Sequence, residues 1–204
     1  MTEDPGDPGA RPGLDAAGMS HCGADRGRRR EPVLMGESMI VLQLVLFCAL
    51  FTLMVKLAVR NNALNALYFY PKPVQERVYQ LGLTDRETVA RKRMRFMIPF
   101  LLVLLAALLL IIGLWNGIHD FRPAYFQALL FLEVMNWFDG IVIDRLWVGH
   151  SKLWIIPGTE DIPFVQTWPE ILKKRGILTL IWIVGAAIVA GLVVMIFGGN
   201  TSCC

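Results

Sequence analysis

Residues 38–55, 97–118 and 176–199 contain no charged side chain. A backbone that enters hydrocarbon must satisfy its own hydrogen bonds, so an isolated apolar run of this length is restricted to a helix. Eighteen residues rise about 27 Å, close to the thickness of the apolar core of a bilayer. Only 18% of the chain is charged, against 55% hydrophobic, whereas soluble domains carry about 25% charged residues. These stretches predict three membrane-crossing helices. Pro99 falls in the first turn of the second, where a missing N–H costs little. Gly185 and Gly191 are expected to permit close helix approach in the last.

A further apolar segment, residues 124–148, is long enough to cross but carries Glu133, Asp139, Asp144 and Asn136. An acid at the centre of a membrane helix costs about 2.5–3.5 kcal/mol on the insertion scale. At 100° per residue Glu133, Asn136, Gly140 and Asp144 share a stripe of roughly 80°, with Asp139 off it. One polar stripe is compatible with a helix packed among others, so a spanning helix is expected, with a re-entrant segment as the alternative.

The expected fold is all-α: an integral membrane four-helix bundle with spans at about 38–58, 97–118, 124–148 and 176–199, forming a domain over 35–204. An interfacial helical hairpin is expected between spans 1 and 2. Its first helix starts at Pro73 and stops at Gly82, a residue suited to the left-handed position after a helix. Its second starts with a Thr84–Glu87 capping box and continues through Arg91–Arg95 into span 2. Residues 1–34, rich in Gly, Pro and Arg, have little to bury and are expected to be disordered. Met35 is an alternative start that would make them an upstream extension. No secretory signal is expected, since the first thirty residues hold no apolar core. The cysteines (Cys22, Cys48, Cys203, Cys204) form no C-x-x-C pair. Thr201 stands where a lipidated C-a-a-X cysteine belongs, so neither a cysteine zinc site, a redox motif nor a modified tail is expected.

Connectors one and three hold thirteen Lys and Arg residues, against one in connector two. This distribution puts both large connectors in the cytoplasm and both termini outside, although five arginines of the N-terminal tail oppose it. Spans 1 and 3 run the same way, which puts Asp144 at the depth of Lys56 and predicts an ion pair with Lys56 or Arg60.

Two groups of residues are candidates for chemistry. Glu133, Asn136, Asp139 and Asp144 read either as an intramembrane proton or cation site, or as interhelical hydrogen-bonding groups with Asn116, Trp115 or backbone carbonyls as partners. His150, Lys152, Glu160 and Asp161 read either as an interfacial headgroup, phosphate or metal site, or as a tight turn set by Pro157-Gly158 between the anchors Trp147 and Trp154. The Lys173-Lys174-Arg175 run and Trp168 read as interfacial anchors. No Walker A loop, nucleophile elbow, H-E-x-x-H motif or dinucleotide fingerprint occurs. Asp139-Gly140 followed by Asp144-Arg145 fails the D-G-x-x-A-R opening of CDP-alcohol phosphotransferases, because the arginine is one residue late and the alanine is missing.

The segment WVGHSKLWIIPGTED, residues 147–161, resembles a pattern found in bacterial multi-pass membrane proteins of uncharacterised activity: an aromatic-rich helix end followed by H-S-K-x-x-x-I-P-G-T-E-D. The resemblance implies a bacterial inner-membrane location and no particular activity. The leading expectation is an accessory or structural membrane component acting through the polar face of span 3. Its expected partners are the lipid bilayer and either a second copy or another membrane protein, with no nucleic acid. A small proton or cation transporter or channel subunit comes second, and a lipid-headgroup enzyme third. No catalytic residue, cofactor or metal is assigned.

Overall fold

The computed structural model describes residues 33–60 and 62–201. The N-terminal tail through residue 32 and the terminal cysteines Cys203 and Cys204 lie outside them. Residues 33–38 form the first turns of helix α1, and the packing that follows concerns the compact unit Met39–Cys204. The described residues are helical without strands. α1 spans Val33–Val59, and a 3₁₀ segment, Ala63–Phe69, leads to the short α2, Lys72–Gln80. α3 runs Arg86–Trp115, α4 Phe121–His150 and α5 Trp168–Phe197. α1 from Ser38, together with α3, α4 and α5, gives four helices long and apolar enough to cross a membrane. At 30 residues each, α3, α4 and α5 are about 45 Å long, so their ends reach past a 30 Å hydrocarbon layer.

The exposed surface supports a membrane location. Only 22% of the most apolar window of α5 is buried, and Leu180, Val184, Ile188 and Met195 face outward. Leu42, Val45 and Leu53 on α1 and Leu101 and Leu102 on α3 do the same. Water-soluble proteins rarely expose contiguous apolar surface on this scale.

The inward faces follow helical spacing. Phe47, Phe51, Val55 and Val59 line α1, and Leu104, Leu108 and Ile112 line α3. α4 and α5 pack on each other most extensively and bury alanines, Ala124 and Ala128 on one and Ala186 and Ala190 on the other. Small side chains allow such close approach. The expected role of Gly191 is not found, because a Cβ there would meet nothing within 4 Å. Gly113 on α3 does have that role, lying against the ring of Phe197. α1 is held by ring contacts, Phe47 to Phe131 and Phe51 to Phe100, each with centroids 5.6 Å apart. A reciprocal amide pair adds to them: Gln43 donates to Asn116 at 2.7 Å and accepts from it at 3.1 Å. Asn116 is therefore not the partner of the α4 acids.

α2 ends as its sequence predicts. Gly82 adopts φ +67°, and the N–H groups of Gly82 and Leu83 return to Tyr79 and Val78, a Schellman closure. The start of α3 differs from expectation by one residue. Asp85, not Thr84, is the cap, accepting from the Thr88 N–H at 2.8 Å. That bond holds the Asp85 carboxyl below its ordinary range. Its contribution is therefore complete above the usual carboxylate pKa and fades as the pH falls through the lowered value. Pro99 lies well inside α3, which continues on both sides of it.

The Gln43–Asn116 pair gives a test. Gln43→Leu leaves the half-buried Asn116 amide without its partner and should lower stability by about 1 kcal/mol, read as a drop in detergent melting temperature. Adding Asn116→Leu should recover most of the loss; a further drop would show that the pair is not the unit.

Candidate functional site

α4 is not a uniform α-helix. Over Asp139–Trp147 its backbone widens into π-helix, with the Val148 N–H reaching Ile143 O five residues back. The consequence falls on Asp139 and Asp144, which are five residues apart. In an α-helix they would diverge by about 140°. With i→i+5 bonding each turn holds about one more residue, which brings them to one side. Asp144 is thereby turned toward Asp139, which α-helical spacing leaves off the polar stripe.

Both aspartates face Arg175 on α5, which is 1% exposed. Its Nη1 donates to Asp139 at 2.7 Å and its Nη2 to Asp144, and Asn136 Oδ1 accepts from Nη1 at 3.5 Å. Lys174, the neighbouring residue, pairs with Asp144 at 3.1 Å from a more open position. Lys56 and Arg60 are not the partners of Asp144. Lys56 lies on the parallel α1, whereas the antiparallel α5 brings its second turn against the same end of α4. Arg175 is likewise a buried bridging group and not an anchor.

Toward the middle of α4 the network continues through neutral groups. Asn136 Nδ2 donates to Arg175 O at 3.2 Å and to Thr179 Oγ1 at 3.3 Å. Thr179 in turn donates to Glu133 Oε2 at 2.8 Å. Glu133 Oε1 is buried without a partner in the structure. Glu133, Asn136, Asp139 and Asp144 thus all lie in one network, joined by three residues that sequence reasoning left out: Lys174, Arg175 and Thr179. A signal for them exists. Thr167-Trp168-Pro169-Glu170 is a capping box, and the Glu170 carboxylate accepts from the Thr167 N–H at 2.8 Å. Starting α5 there puts Arg175 and Thr179 on one face.

Gly140 provides the space. A Cβ at this position would lie 2.7 Å from Arg175 Nε, so the buried stem of the arginine needs the bare glycine backbone of α4.

The interfacial candidates do not assemble. His150, Lys152, Glu160 and Asp161 are all exposed. The His150 ring bonds Leu146 O at 2.9 Å, Glu160 accepts from the Gly158 N–H at 2.9 Å, and Asp161 pairs with Arg77 at 3.3 Å. Their turn is a type II turn: the Thr159 N–H returns to Ile156 O at 3.1 Å, with Gly158 at φ +86°. Among the described residues no group of three or more His, Cys, Asp and Glu has the geometry of a metal site.

The loop 151–167 instead lines a cavity through Trp154, Phe164 and Gln166. The Tyr70 hydroxyl, buried and pushed up from its ordinary pKa by that burial, donates to Trp154 O at 2.7 Å. Trp154 packs edge-on to Trp147 and contacts Tyr70. Beneath them is a cavity of about 340 Å³, with Asp139, Asp144, Lys174 and Arg175 at one end. Phe51, Phe96, Phe100, Phe164 and Trp182 form much of its apolar wall. Comparison of the chain with family models, with curated proteins and with solved structures returned no match.

Two substitutions probe the network. Arg175→Met strands Asp139 and leaves Asp144 with Lys174 alone, and should cost about 3–5 kcal/mol, whereas adding Asp139→Asn and Asp144→Asn should restore much of it. Gly140→Ala should lower the melting temperature more than Gly191→Ala, which meets open space; equal effects would show that Arg175 does not need the clearance.

Proposed function

We propose that this protein is an accessory component of the plasma membrane whose cavity holds an amphiphilic molecule. In this reading α1, α3, α4 and α5 form a four-helix membrane bundle, and α2 with the start of α3 forms a hairpin lying at the interface. The connectors that carry most of the Lys and Arg face the cytoplasm, with both chain ends on the opposite side. The outward apolar faces meet lipid or a neighbouring membrane protein.

One observation carries the proposal: a cavity that is aromatic along its walls and ionic at one end. Its volume of about 340 Å³ is at the low end of the range for small-molecule sites. Its polar end is fixed in place by ion pairs and its wall includes Leu101 of α3, which is 50% exposed. A ligand with a polar head and an apolar tail matches both ends, with the tail continuing into the bilayer past Leu101.

The second reading, a proton site, draws on the unpartnered Glu133 Oε1. Against it stands the packing beyond Glu133. Phe47, Leu108, Ala128 and Phe131 are buried between the Glu133 network and the Gln43–Asn116 pair. An ion path needs polar groups or water at that level.

The test is retention. Full-length protein purified in mild detergent and exchanged extensively should keep about one equivalent of amphiphile, read by native mass spectrometry. Leu178→Trp, which fills the cavity from α5, should lose it while keeping its helical circular dichroism and monodispersity. Equal retention by both proteins would remove the cavity as the binding site.

A further inference from the structure

The charges at the polar end of the cavity cancel. Asp139 and Asp144 contribute two negative charges, Lys174 and Arg175 two positive, and each carboxylate is already engaged by a cation. A bare anionic or cationic head would add an uncompensated charge in a site that is mostly apolar, and burying an unpaired charge is strongly unfavourable. A head that carries both signs adds none.

The two cations differ in availability. Arg175 is buried, with both terminal nitrogens committed to carboxylates. Lys174 keeps 44% of its side chain exposed and has a single carboxylate partner. An ammonium has three donors, so Lys174 can receive a phosphate while retaining Asp144. Of the carboxylates, Asp139 remains 24% exposed at the side chain and Asp144 19%, leaving lone pairs for a cationic group.

Unused hydrogen-bonding groups ring the same space. Trp154 Nε1, Trp182 Nε1, Arg175 Nε and Gln166 Oε1 are buried without partners in the structure, and all four residues line the cavity. A buried unpaired donor costs about 1–3 kcal/mol, so orphans gathered around one cavity call for an occupant. Three donors and one acceptor suit an acceptor-rich group such as the phosphate and ester oxygens of a glycerolipid.

Resting on the amphiphile reading above, we infer that the occupant is a zwitterionic phospholipid from the surrounding leaflet. Its phosphate is held by Lys174, its cationic end lies against Asp139 and Asp144, and part of one acyl chain lies along the aromatic wall. A whole phospholipid exceeds the cavity, so the remaining chain stays in the bilayer.

The experiment is competition between headgroups. Full-length protein, stripped of lipid in detergent, is mixed with vesicles of phosphatidylethanolamine, phosphatidylcholine and phosphatidylglycerol in equal amounts. It is then re-isolated, and the retained lipid is counted by mass spectrometry. We expect the two zwitterionic lipids together to be enriched about tenfold over the anionic one. Lys174→Gln, a change at a partly exposed position, should reduce that enrichment to about twofold or less. Leu178→Trp should abolish retention of all three. Enrichment of phosphatidylglycerol, or a Lys174→Gln profile equal to wild type, overturns the headgroup assignment while leaving the cavity as a lipid site. Retention of none above its vesicle proportion overturns the cavity reading and this assignment with it.

Discussion

The structure depends on a buried guanidinium. Arg175 is enclosed on the seam between α4 and α5, and an unpaired arginine there would make that seam untenable. Two aspartates must reach it together, and the geometry of α4 is arranged around that requirement. The π-helical stretch rotates Asp139 and Asp144 onto the same side, and Gly140 between them leaves clearance for the arginine stem. Arginine suits the position because its planar fork can bond two carboxylates at once, which a lysine ammonium does less well.

The cavity follows from this seam. Fixing α4 against α5 fixes the polar end, while the aromatic wall comes from α1, α3, Trp182 of α5 and the two connectors. The connectors are tied to each other beside the cavity by the Tyr70 hydroxyl on the Trp154 carbonyl. The Arg77–Asp161 pair, being exposed, contributes little to that tie. The conspicuous I-P-G-T-E-D turn therefore serves by shape: its type II geometry and the buried Thr159, whose hydroxyl donates to Ile156 O at 2.9 Å, hold the loop in place. Its own charged residues remain in the open.

The polar stripe of α4 is turned inward and largely satisfied within the chain. This changes what such a stripe implies. An acid-bearing membrane helix read in isolation suggests a partner protein or an ion path, because a buried acid needs something to bind. Here that requirement is met by Arg175, Lys174 and Thr179 of the next helix. Among the described residues, the buried groups left unmet include Trp154 Nε1, Trp182 Nε1, Gln166 Oε1 and Arg175 Nε around the cavity, with Glu133 Oε1, His119 Nδ1 and Gln127 Oε1 away from it.

By itself the sequence determined the number and type of membrane-length helices, the Schellman stop at Gly82, the type II turn at Gly158 and the presence of a polar face on α4. Each is a local property: apolar run length, a residue tolerant of positive φ, or side-chain periodicity. The Thr167–Glu170 box was equally local and would have placed Arg175 inside α5. The tertiary structure alone decided that Asp144 meets Arg175 and not Lys56, that it turns toward Asp139, and that Asn116 serves Gln43. Pairing between helices depends on which neighbours pack and at what depth. The meeting of Asp144 with Asp139 also depends on a change of backbone winding, which α-helical periodicity assumes away.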